Sequence, residues 1–104
     1  MGFGADLAKV QDGHVRLAVL QLLAGLPLGN ASDVVLYEAL NAMDLRVNRE
    51  AVRAHLFWMG AQGLVSVLDL RTSNGLVVAT LTEQGGDVAK GLAVVAGVEP
   101  AARS

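Results

Sequence analysis

The stretch Asn48-Arg49-Glu50-Ala51-Val52-Arg53-Ala54-His55-Leu56-Phe57-Trp58-Met59-Gly60-Ala61-Gln62-Gly63-Leu64-Val65 decides the fold. Asn48 is an apt N-cap, because its side-chain oxygen can accept from a free amide of the first turn, and Glu50 stands where the helix dipole favours an acid. Val52, Leu56 and Met59 recur at helical spacing and share one face, so a helix is predicted over 48–62. Gly63 can take the left-handed conformation that ends a helix, and Leu64-Val65 opens an extended run.

Upstream, a helix over 32–43 starts behind Asn30 or Ser32, where Asn30-x-x-Asp33 has the spacing of a capping-box variant, and carries Leu36 and Leu40. Only Asp44, Leu45, Arg46 and Val47 separate it from the next helix, and two helices joined by so short a turn form a helix-turn-helix. Before it, residues 12–24 bear Val15, Leu17, Ala18, Val19, Leu20, Leu22 and Leu23, apolar nearly all round the cylinder, which predicts a central helix touched on several sides. Residues 1–11 are either an N-terminal segment or an extension of that helix, with Gly13 as the joint, and Gly25-Leu26-Pro27 stops it. Downstream, 64–70 and 76–82 are short runs rich in Val and Leu around Arg71-Thr72-Ser73-Asn74-Gly75, and Asn-Gly between apolar strands signals a hairpin. Thr82-Glu83 begins a short helix over 83–90, weakened by Gly85 and Gly86, and 91–104 is a tail. The expected fold is α+β, mostly helical: one winged helix-turn-helix domain over 1–104, with the hairpin as a two-stranded wing.

The run Val52-x-x-x-Leu56-x-x-Met59-x-x-x-Gly63-Leu64-Val65, then a hairpin, then Leu81-Thr82-Glu83-x-Gly85, resembles the recognition-helix-to-wing stretch of winged helix regulators of the ArsR and MarR kind. More narrowly, Arg16-Leu17-Ala18-Val19-Leu20-Gln21-Leu22-Leu23, Asn48-Arg49-Glu50-Ala51-Val52-Arg53 and Val78-Ala79-Thr80-Leu81-Thr82-Glu83 resemble a family of small proteins of Mu-like phages and prophages. The first resemblance implies a DNA-binding fold; the second implies a phage origin.

Composition narrows the functions. The 104 residues are 53% hydrophobic and 17% charged, with a net charge of −2 and no cysteine. Disulfides, thiolate catalysis and cysteine-based zinc sites are thereby excluded. No uncharged run is long and unbroken enough to span a bilayer, and nothing reads as a signal peptide. Asp6 stands where N-myristoylation needs Ser or Thr. The expected compartment is the cytoplasm, the host's for a phage-encoded chain.

Because the net charge gives no global pull towards nucleic acid, DNA binding must rest on local positive charge. Arg46, Arg49, Arg53 and Arg71, half of the eight basic residues, fall in the turn, the third helix and the wing tip. In a duplex-bound winged helix the third helix would enter the major groove, exposing Asn48, Arg49, Glu50, Arg53, Ala54 and Phe57, while Arg46, Arg71 or Asn74 would hold the backbone. The plain alternative is a solvated surface with the arginines paired to Asp44, Glu50 or Asp69. Phe57-Trp58 argues differently: two large aromatics side by side suit a protein interface better than base readout, unless one tucks beneath the hairpin or the second helix.

His14 and His55 lack a second histidine at helical spacing, so no metal is expected. Ser32, Ser66 and Ser73 have no nucleophile-elbow context, no phosphate-binding glycine loop occurs, and the acids are scattered singly. Neither an enzyme nor a cofactor is expected. The leading expectation is a DNA-binding phage protein acting in transcription regulation or DNA handling; the second is an interaction module in a phage assembly or packaging complex, using Phe57 and Trp58. A homodimer is expected from the all-round apolar first helix and the apolar tail Leu92 to Val98, the alternative being a monomer whose tail folds back over that helix.

Overall fold

The computed structural model describes residues 3–102. Its elements run α1 (Phe3–Ala24), β1 (Asn30–Ser32), α2 (Asp33–Ala42), α3 (Arg49–Ala61), β2 (Val65–Leu70), β3 (Leu76–Leu81) and α4 (Glu83–Ala89). About half of the chain is helical, and the strands form one antiparallel sheet in the order β1-β3-β2.

Residues 3–11 extend the first helix, so α1 starts well before residue 12. Gly13 is no joint. It lies buried inside the helix where the C-terminal tail crosses: the Glu99 amide donates to the Gly13 carbonyl at 3.1 Å, and a Cβ on Gly13 would come within 3.3 Å of that nitrogen. The apolar girdle of α1 is explained by its neighbours, since it packs against α2, α3, α4 and β3. Val15, Val19, Leu20 and Leu23 are fully buried there with Leu36 and Leu40 of α2, Val52, Leu56 and Met59 of α3, and Leu64, Val77 and Val88.

The strand β1 corrects the expectation that 30–32 merely leads into a helix. Asn30, Ala31 and Ser32 pair with Thr80, Ala79 and Val78. Three residues are too few to display a two-residue period, and their partner lies some fifty positions away, so the strand leaves no local signal. Ser32 is the N-cap of α2, accepting from the Val35 amide at 3.3 Å, and Asp33, expected in a capping box, is instead the buried first residue of the helix. α2 closes through Asp44 at φ 62, where Leu45 N–H reaches back to Leu40 O at 2.9 Å. Asx side chains tolerate this left-handed position.

Asn48 caps α3 as read from sequence, accepting from the Ala51 amide at 2.8 Å. Gly63 ends it at φ 77, with Leu64 N–H bonded to Met59 O. The hairpin pairs Val65 with Leu81 through Leu70 with Leu76, turning Val77 and Ala79 into the core. One of the two glycines of α4 has a packing reason: a Cβ on Gly85 would stand 2.0 Å from the Leu64 carbonyl oxygen, whereas one on Gly86 would meet only Leu81 at 3.8 Å. The tail then folds back with Val98 buried, while Leu92 and Val94 stay exposed.

Candidate functional site

The face made by α3 and the hairpin is organised around Asp33, whose side chain is fully buried. β1 ends just before it, and its carboxylate continues the sheet's hydrogen bonding, Oδ1 accepting from the Val77 amide of β3 at 3.1 Å. Oδ2 accepts from Arg49 Nε at 2.9 Å and from Arg53 Nε at 2.6 Å. Both guanidiniums reach on to the Gly75 carbonyl at the hairpin tip, at 2.7 and 2.6 Å through Nη2. Burial pushes the Asp33 carboxyl upward, but the Val77 amide and the two guanidiniums outweigh it and hold the group below its ordinary value. The two arginines singled out for base contact thus tie α2, α3 and the hairpin together.

Glu50 Oε1 accepts a further bond from Arg53 at 3.2 Å, leaving that arginine 16% accessible against 40% for Arg49. Arg46 pairs with Asp44 at 3.2 Å on the open surface. Arg71 grips Asp69 through Nε and Nη2 at 2.9 and 2.7 Å, and this holds the Asp69 carboxyl at about 2. Three arginines, Arg49, Arg53 and Arg71, and three carboxylates, Asp33, Glu50 and Asp69, therefore share the face and their charges cancel, while Arg46 lies beside the N-terminal half of α1. Asp33 is the acid that sequence reasoning missed, because a carboxylate at a helix start reads as a cap.

The remaining candidate residues are spread out. Asn48 and Asn74 have their side-chain oxygens engaged by the Ala51 and Leu76 amides. Ala54 is exposed, and Phe57 is half-buried with the Arg71 guanidinium 5.0 Å above its ring. Phe57 walls a groove of about 530 Å³ with Gly60, Val65, Ser66, Val67 and Asp69. Trp58 faces elsewhere, under the tail: Arg16 stacks 4.0 Å from its ring centroid, and a Cβ on Gly97 would meet its ring at 2.8 Å. Arg16 also donates to Gly97 O at 3.0 Å and to His55 Nδ1 at 3.1 Å. Phe57 and Trp58 are therefore parts of two different surfaces.

One relative carries the identification: the uncharacterized protein gp26 of Escherichia phage Mu is 40% identical to this chain over 84 residues, covering 81% of the chain and 83% of gp26. The chain belongs to the family of phage Mu gp26. No family model matches it, and no solved structure matches either. The resemblance to Mu-like phage proteins holds.

For this gp26 relative, the other side of the hairpin completes the description. Leu68 and Leu70 of β2 stand opposite Val78 and Leu76 of β3 on the face turned away from the core, and Leu68 is 57% exposed. Burial holds the imidazole of His55 below its ordinary value, with Arg16 adding to the effect and Asp12, 3.6 Å from Nε2, opposing it. Among the described residues no three His, Cys, Asp or Glu side chains gather to hold a metal, and no helix is long and apolar enough to cross a membrane.

Proposed function

We propose that this gp26 relative is a winged helix module that acts by binding protein within an assembly or packaging complex of a Mu-like phage. The winged helix reading is supported by the order helix, strand, helix, helix, strand, strand, by the sheet order β1-β3-β2, and by α3 beside the hairpin. One observation carries the choice of partner: the arginines of the α3 and hairpin face are all paired with carboxylates of their own chain. A duplex would have to displace those carboxylates to gain phosphate contacts, and no surplus positive charge remains to draw it in. The hairpin instead offers the apolar set Leu68, Leu70, Leu76 and Val78, unlike the basic tip of a phosphate-gripping wing. Fold likeness alone does not fix function.

Titration of the full chain against a pool of labelled duplexes, at about 50 and about 200 mM salt, tests the choice. No salt-dependent binding is expected, whereas capture of structural and packaging proteins of the same phage is, weakened by Leu70→Ser combined with Leu76→Ser. Duplex binding that falls steeply with salt and is lost in Arg46→Glu or Arg49→Glu would reverse the assignment. Duplex DNA is the second reading, favoured by the topology and by the outward edge of Arg49, and under it the protein acts in transcription regulation or DNA handling.

A further inference from the structure

β2 is an edge strand, with β3 on one side and no strand on the other among the described residues. The register says which of its backbone groups are open. Leu81 N–H bonds to Gly29 O at 2.8 Å beside β1, and Thr82 N–H bonds to Leu64 O at 3.2 Å beside β2. Backbone direction alternates along an antiparallel strand, so Leu76, Val78 and Thr80 address β2, where they meet Leu70, Leu68 and Ser66. The N–H and C=O groups of Val65, Val67 and Asp69 consequently point to the free edge.

Natural sheets blunt such an edge with proline, lysine, a bulge or an inward charge. β2 reads Val-Ser-Val-Leu-Asp-Leu, and its one charge, Asp69, is neutralised by Arg71 two residues on. The groove walled by Phe57 and Val67 runs beside this edge. Gly60 leaves α3 without a side chain there, because a Cβ would come within 2.9 Å of Val67 Cγ2.

We propose that a second copy of this chain occupies the edge, the two β2 strands pairing antiparallel about a two-fold axis through Val67 to join two three-stranded sheets into one. Val67 faces Val67 of the second copy, Val65 faces Asp69, and Leu68 faces Ser66, so no like charges stand opposite one another. The facing pairs Val65 with Asp69, Val67 with Val67 and Asp69 with Val65 each exchange two hydrogen bonds, whereas Leu68 and Ser66 face each other without any. Half-buried Phe57 and Val67 and exposed Leu68 would be covered at the junction. This surface is not the α1 and tail surface from which the sequence suggests a dimer. It does not rest on whether the module binds protein or DNA, although Leu68 belongs both to this junction and to the apolar hairpin face.

The test is the solution mass of the full chain, alone, across a wide dilution series, together with amide hydrogen exchange. A mass of twice 10.8 kDa is expected at high concentration. In that state the amides of Val65, Val67 and Asp69 exchange roughly tenfold or more slower than after dilution. Leu68→Lys, at an exposed position on the outer face, halves the mass with the circular dichroism unchanged. Should that variant fail to fold, exchange in the unaltered chain decides alone. A monomer at every concentration overturns the proposal, as does a dimer whose three edge amides exchange freely. Protection of the edge only when another phage protein is added assigns it to a foreign strand and rejects the second copy.

Discussion

Replacing Asp33 by alanine removes one acid and loosens three elements at once. The fully buried carboxylate accepts the Val77 amide, Arg49 and Arg53, so its loss leaves a strand amide without an acceptor, Arg49 without a counter-charge and Arg53 with Glu50 alone. Breaking a buried ion pair from one side costs about 3–5 kcal/mol. Arg49 can rehydrate and Arg53 keeps Glu50 and the Gly75 carbonyl, so the lower end, about 3 kcal/mol, is expected here. For a chain of this size that lowers Tm by roughly 12–24 °C. Asp33→Asn retains an acceptor for Val77 and should lose less, about 1–2 kcal/mol. The pH dependence separates charge from shape. Because the folded carboxyl sits below its ordinary 3.8, its contribution is complete above that pH and fades as pH falls through the folded value. The gap between the unaltered chain and Asp33→Asn should therefore close in acid. Urea and thermal unfolding followed by circular dichroism measure both effects. A destabilisation of Asp33→Ala below about 1 kcal/mol, or a gap that persists unchanged in acid, would refute the role assigned to this carboxylate.

Three other outcomes are expected. His55 has a folded-state imidazole below its ordinary 6.5, so stability is full above that pH and declines as pH falls from 6.5 towards the folded value; His55→Gln, which keeps an acceptor for Arg16 but does not titrate, should flatten that limb of a pH-stability curve. Gly97→Ala places a Cβ 2.8 Å from the Trp58 ring at φ 93, and should cost about 1–3 kcal/mol while shifting Trp58 fluorescence to the red as the tail lifts; an unmoved emission maximum would show that the tail does not cover the indole. Gly85→Ala drives a methyl into the Leu64 carbonyl and should cost about 3 kcal/mol or yield an insoluble product, whereas Gly86→Ala, facing only the far end of Leu81 at 3.8 Å, should be tolerated, as denaturant midpoints would report.

The main helices and the hairpin were legible because their signals are local. Asn48, the Val52, Leu56 and Met59 face, Gly63 and Asn74-Gly75 each act within one turn of their own position, and the structure puts α3 and the hairpin within a residue or two of where those signals indicate. The four surface arginines were legible for the same reason. Their partners were only partly so: Asp44, Glu50 and Asp69 lie close in sequence, whereas Asp33 lies 16 and 20 positions from the two arginines it binds.

What the amino-acid order could not supply is whatever needs two distant segments to meet. β1 exists because β3 lends it a ladder, Asp33 is buried because that ladder ends there, and Trp58 is covered because the tail returns across Gly13. Local chemistry determined the helices, their caps and the turn; long-range closure decided that Arg49 and Arg53 bind their own chain, since the identity of a charge is written at one position but its partner is set by what folding brings beside it.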